Sequence, residues 1–82
     1  MTKIRLDLNT FEDKRELHLY LKQQCQFPEY YGCNLDAIYD CLSENNQFEF
    51  EIIENEKFET YIISMMKIFR KTNCTYTVIE GE

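Results

Sequence analysis

No lysine or arginine occurs between Lys22 and Lys57. A surface built from that stretch cannot hold a nucleic-acid backbone, because neutralising phosphates takes basic side chains. Glycine is scarce as well. Only Gly32 and Gly81 are present, so there is no glycine-rich loop to cradle a phosphate. One histidine, His18, leaves no HExxH pair, and no serine nucleophile motif appears. Proline occurs once, at Pro28, where its ring disfavours helix at Phe27 and marks a break in the chain. No apolar run reaches the roughly 18–20 residues of a membrane-spanning helix, which argues against a membrane role.

What is present describes a small folded domain. The 82 residues are 44% hydrophobic and 15% aromatic, which opposes disorder despite the charge. Their length suits one domain spanning 1–82. The net charge of −6 is unevenly spread. Residues 29–59 carry nine acids against the single base Lys57, whereas the flanking segments are each close to neutral. Such a patch attracts cations and repels phosphates; its blander reading is solubility alone. The cysteines Cys25, Cys33, Cys41 and Cys74 lack the short C-x₂₋₄-C spacing of structural zinc, so no metal or other cofactor is expected. Met1 to Asp7 contains no apolar signal-peptide region. A cytoplasmic protein with reduced thiols, monomeric when free, is the expectation. Cys41 reads as a small buried hydrophobe; Cys33, beside Gly32, is the thiol with some claim to reactivity.

The order of elements reads β-α-α-β-α-β. Lys3 to Leu8 alternates polar and apolar, as a half-buried strand does. Thr10 with Asp13 forms a capping-box pattern for a helix to about Gln24, turning Phe11, Leu17, Tyr20, Leu21 and Cys25 inward. Gly32 supplies a flexible turn and Asn34 caps a second helix over about 35–44. Phe48 to Ile53 alternates again, Asn55 caps a longer helix with Phe58, Ile62, Met65 or Met66, and Phe69 inward, and Thr75 to Ile79 is the last strand before a Gly81-Glu82 tail. The connections are long enough for parallel strands. Alternation in the first two strands leaves one sheet face to water, with Lys3 and Arg5 opposite Glu49 and Glu51. The predicted fold is α/β in two layers, a three-stranded parallel sheet with all helices packed on one face.

The second helix draws attention. Counting from the Asn34 cap, Leu35, Ile38, Cys41 and Leu42 face inward while Asp36, Tyr39 and Asp40 face solvent. Asp36 favours the helix dipole in the first turn. Asp40, mid-helix and four residues from another aspartate, has no such local reason and costs a few tenths of a kcal/mol. An exposed tyrosine between two aspartates suits an aromatic anchor flanked by charges that can meet Arg, Lys or His⁺ on a partner. Tyr30 and Tyr31 extend that surface, although either one can instead be a core residue.

Phe-Pro-Glu-Tyr-Tyr-Gly-Cys-Asn-Leu-Asp-Ala-Ile-Tyr-Asp-Cys-Leu, residues 27–42, resembles the signature of the barstar family of intracellular inhibitors of secreted bacterial ribonucleases. The resemblance extends more weakly through Leu17-His18 and Ile68-Phe69-Arg70. It implies the same two-layer fold and a role as a plug for the active site of a basic ribonuclease, with no catalysis of its own. By position, Asp40 would enter the substrate-phosphate pocket, Asp36 would pair with a further base, and Tyr30 would lie against the catalytic histidine. Tyr39 stands where the family has tryptophan, Gly32 and Asn34 would shape the loop, and Glu44 completes the partner-binding set. Lys71 falls near a position where the family presents an acid.

Two other readings compete. An acidic adaptor or immunity protein of the same fold can bind a different basic protein or toxin. An enzyme would have to use His18 with a cysteine, yet His18 beside Leu17 and Leu19 reads as a structural or surface histidine.

Overall fold

The computed structural model describes residues 1–79, so the Gly81-Glu82 tail lies outside the described residues. Three strands, β1 (Thr2–Asp7), β2 (Phe48–Ile53) and β3 (Thr75–Ile79), form one sheet in the order β1-β2-β3. Both pairings are parallel. The helices are α1 (Lys14–Cys25), α2 (Leu35–Glu44) and α3 (Glu59–Lys71).

Strand alternation sets the layers. Ile4 and Leu6 of β1 and Phe48, Phe50 and Ile52 of β2 are buried against the helices. Lys3, Arg5, Thr75 and Thr77 lie on the other face, in solvent, with Glu49 and Glu51 half-buried between them. Lys3 stands in register with Glu49 and Arg5 with Glu51, as the alternation implies. The ion pair that forms is diagonal, from Lys3 Nζ to Glu51 Oε2 at 3.3 Å.

The helices seal the core with Leu17 and Leu21 of α1, Ile38 and Leu42 of α2, and Ile62, Met65 and Phe69 of α3. Phe69 stacks flat on Phe50 of the central strand, 4.2 Å between centroids and 4° between planes. That contact fixes α3 over β2, adding about 0.5–1.5 kcal/mol to the burial of the two rings.

Two helix starts differ from expectation. Thr10 belongs to a one-turn 3-10 helix (Leu8–Thr10), and its hydroxyl donates to Asp7 O at 2.7 Å. The cap of α1 is Asp13, which accepts from Glu16 N at 3.0 Å, while Glu16 reaches back to accept from Glu12 N at 2.8 Å. The capping box therefore sits three residues later. Phe11 still reaches the core, but from the connecting segment. Asn55 likewise caps a 3-10 turn, Glu56–Phe58, which leads into α3 at Glu59. Its amide also donates to Asn9 Oδ1 at 2.7 Å, tying the two connections together.

Candidate functional site

The loop between α1 and α2 begins with Gln26 in the left-handed region (φ 56°), ending α1, and Phe27 N donates to Lys22 O at 3.0 Å. Pro28 starts a tight turn closed by Tyr31 N donating to Pro28 O at 2.9 Å. This turn sends adjacent tyrosines in opposite directions. Tyr30 is 82% exposed and Tyr31 only 6%. The sequence left open which of them is core, and it is Tyr31, which packs against Phe27 at 4.8 Å between centroids.

Tyr31 is held by more than packing. Its hydroxyl lies 2.7 Å from His18 Nδ1, and His18 Nε2 lies 2.5 Å from the Tyr61 hydroxyl of α3. His18 is fully buried. Burial without a counter-charge holds its pKa down at about 4, so the ring is neutral near pH 7, one nitrogen donating and the other accepting. This bridge was missed in the sequence. Its signal was the phase of His18, three and seven residues before the buried Leu21 and Cys25.

The residues before α2 also differ in one respect from expectation. Gly32 does not adopt a positive φ; the left-handed residue is its neighbour Cys33, at φ 56°. What Gly32 provides is space, since a Cβ there would meet Asn34 Nδ2 at 3.3 Å. Asn34 caps α2 as expected, accepting from Ala37 N at 2.8 Å and donating to Gly32 O at 3.3 Å. Loop and helix are thus joined through one side chain.

Ile38 and Leu42 anchor α2 inward, and Leu35 is half-buried beside them. Cys41 is half-buried rather than buried, and partial burial with Glu44 and Asp40 nearby pushes its thiol pKa up. All four cysteines are free. Asp36, Tyr39, Asp40 and Glu44 are exposed, with Tyr39 at 44%. Among the described residues, the ion pairs use Lys3 with Glu51 and Lys22 with Glu29, and neither reaches α2. The three acids stand at i, i+4 and i+8, a like-charge row. Glu44 also lies in the last turn, where the helix dipole disfavours an acid and no base is present to offset it. Asp36 is favoured by the dipole in the first turn, but Asp40 and Glu44 cost helix stability with no ion-pair partner among the described residues.

Among the described residues, no group of three or more His, Cys, Asp or Glu is placed to hold a metal ion, and no helix is long and apolar enough to cross a membrane.

Residues 1–73 match the family described as Barstar (barnase inhibitor). The chain belongs to the barstar family. A curated relative, "Putative ribonuclease inhibitor YrdF" of Bacillus subtilis (strain 168), is 51% identical over 43 residues. That stretch covers 52% of this chain and 47% of the relative, so the chain spans about half the length of the curated relative it matches. The barstar family is one of inhibitors, and its match includes the whole loop and α2.

Proposed function

We propose that this protein inhibits a basic, extracellular-type bacterial ribonuclease from within the cytoplasm, closing the enzyme's active site with the 26–34 loop and the outward face of α2. Residues 1–82 act as one unit. Asp40 enters the pocket that otherwise holds a substrate phosphate, Asp36 pairs with a further base, and Tyr30 lies against the enzyme's catalytic histidine. Tyr39 provides an aromatic contact between the two aspartates, Glu44 extends the acidic row, and Gly32 and Asn34 fix the shape of the loop.

The observation that carries this reading is the row Asp36, Asp40 and Glu44: exposed, mutually repulsive, and without an ion-pair partner among the described residues. Cationic groups on a partner would remove that repulsion and form charge-assisted hydrogen bonds, about twice as strong as neutral ones. Occlusion, not catalysis, is the mode of action. Both nitrogens of His18 are engaged by tyrosines inside the protein, which leaves no free imidazole to act as a base.

The test is RNA cleavage by barnase, and by a basic ribonuclease secreted by the host, titrated with this protein. Inhibition should reach completion at one equivalent and weaken with added salt. Unimpeded cleavage by every basic ribonuclease tried would remove the proposal.

A further inference from the structure

The loop proposed to meet the enzyme is held at both ends: Asn34 joins it to α2, Phe27 packs on Phe48, and Lys22 of α1 pairs with Glu29 at 3.7 Å. In its middle the anchor is Tyr31. Tyr31 is buried, and His18 is the group its hydroxyl bonds. His18 in turn bonds Tyr61, so one imidazole joins three elements: the loop, α1 and α3. Tyr30 and Gly32 flank Tyr31 on either side.

We propose that His18 is a positioning residue for the inhibitory loop: by tying Tyr31 to Tyr61 it sets where Tyr30 and Gly32 stand. This rests on the inhibitory reading given above. A neutral imidazole satisfies both tyrosines, accepting from one hydroxyl and donating to the other. Protonation would put N–H groups on both nitrogens, and the tyrosine that had donated must turn its proton elsewhere. Neither Tyr31 nor Tyr61 has a second acceptor for its hydroxyl among the described hydrogen bonds.

The surroundings do not favour an imidazolium. From the loop it faces Tyr31, with Cys33 close behind; from α3 it faces Tyr61; Cys25 of α1 and Cys41 of α2 lie near Tyr31. Lys14 adds positive charge, its ammonium 4.8 Å from the centre of the Tyr61 ring. No carboxylate among the described residues forms an ion pair with His18. Acid therefore reverses one of the two hydrogen bonds and puts an unpaired charge beside Tyr31, loosening the middle of the loop, while α2 keeps its own Asn34 cap.

The experiment follows the free protein by NMR from pH 7.5 to 3.5, as wild type, His18→Gln and Tyr61→Phe. In wild type the His18 ring should titrate near pH 4 rather than 6.5, and the amides of Tyr30 to Cys33 should move with the same midpoint. In His18→Gln the loop amides should lose the step that follows the His18 ring. Tyr61→Phe removes one hydroxyl from a half-buried place and should shift the loop amides already at pH 7, so it decides the matter if His18→Gln does not fold. With barnase as probe at pH 7.5, Tyr61→Phe should dissociate about three- to tenfold faster, from the loss of one hydrogen bond. Its association, steered by the acids, should stay within about twofold. His18→Gln, which keeps a donor and an acceptor, should retain most of the binding. A His18 midpoint near 6.5 with unmoved loop amides would overturn the proposal, as would unchanged loop amides in Tyr61→Phe. If barnase binds no variant, wild type included, the inhibitory reading fails for that enzyme, and the loop amides still decide the role of His18.

Discussion

The outward face of α2 and the open face of the sheet both carry charge, and they treat it differently. On the sheet, Lys3 and Arg5 stand in register with Glu49 and Glu51, and Lys3 closes on Glu51 at 3.3 Å. On α2, Asp36, Asp40 and Glu44 follow one another along a helix face with no ion-pair partner among the described residues. Lys3 and Glu51 satisfy each other, and the alternating signs of the sheet face leave less for a partner of one charge to gain. Those of α2 are held at a small cost to the helix, and that cost is recovered only when something positive arrives. Residual frustration of this kind points to a binding surface more reliably than charge content does.

The largest expected effect comes from removing the frame that presents the acidic surface. Below about pH 6.5 the unfolded chain protonates His18, whereas the folded chain does so only near pH 4. Within that window the unfolded state binds more protons, so stability falls as pH falls, by up to about 3 kcal/mol in total. Urea denaturation at several pH values should show this slope in wild type and its absence in His18→Gln. Next is Asp40→Ala, expected to weaken ribonuclease binding by about 1.5–3 kcal/mol, roughly ten- to a hundredfold, with an unchanged denaturation midpoint. Titration calorimetry against the enzyme measures it, and Asp36→Ala should lose less. Asn34→Ala should cost about 1 kcal/mol of stability by removing the α2 cap, read as a shift in urea midpoint. The smallest effects belong to the sheet. Lys3→Ala or Glu51→Ala should change stability by less than about 1 kcal/mol, because the pair is exposed at the lysine end, and should leave inhibition unchanged. A sheet variant that impaired inhibition as much as Asp40→Ala would erase the contrast between the two faces.

Where one local signal dominated, the fold was legible in the chain. The strands Phe48–Ile53 and Thr75–Ile79 and the helix Leu35–Glu44 have the bounds their alternation, helical phase and Asn34 cap suggest. The outward aspartates were legible for the same reason. Where two signals overlapped, the local pattern could not choose. Thr10 and Asp13 each begin a capping pattern, and the outcome turns on Phe11 reaching the core from an extended segment before the helix starts. Gly32 and Cys33 are neighbours, and which of them takes the left-handed conformation depends on how Asn34 pulls the loop onto α2. The fates of Tyr30 and Tyr31 were hidden because a turn has no side-chain periodicity. The His18 bridge joins residues 43 positions apart. Only the packing of α3 against α1 brings Tyr61 within reach, and no local pattern carries that information.

The most direct test asks whether α2 takes the place of RNA phosphate. The affinity of this protein for an inhibited ribonuclease should be measured at rising concentrations of a mononucleotide that occupies the enzyme's phosphate site. Mutually exclusive binding is expected, with the apparent Kd for the protein rising in proportion to the nucleotide and the effect reduced in Asp40→Ala. A stable ternary complex of enzyme, nucleotide and inhibitor, with Kd unchanged, would contradict the account.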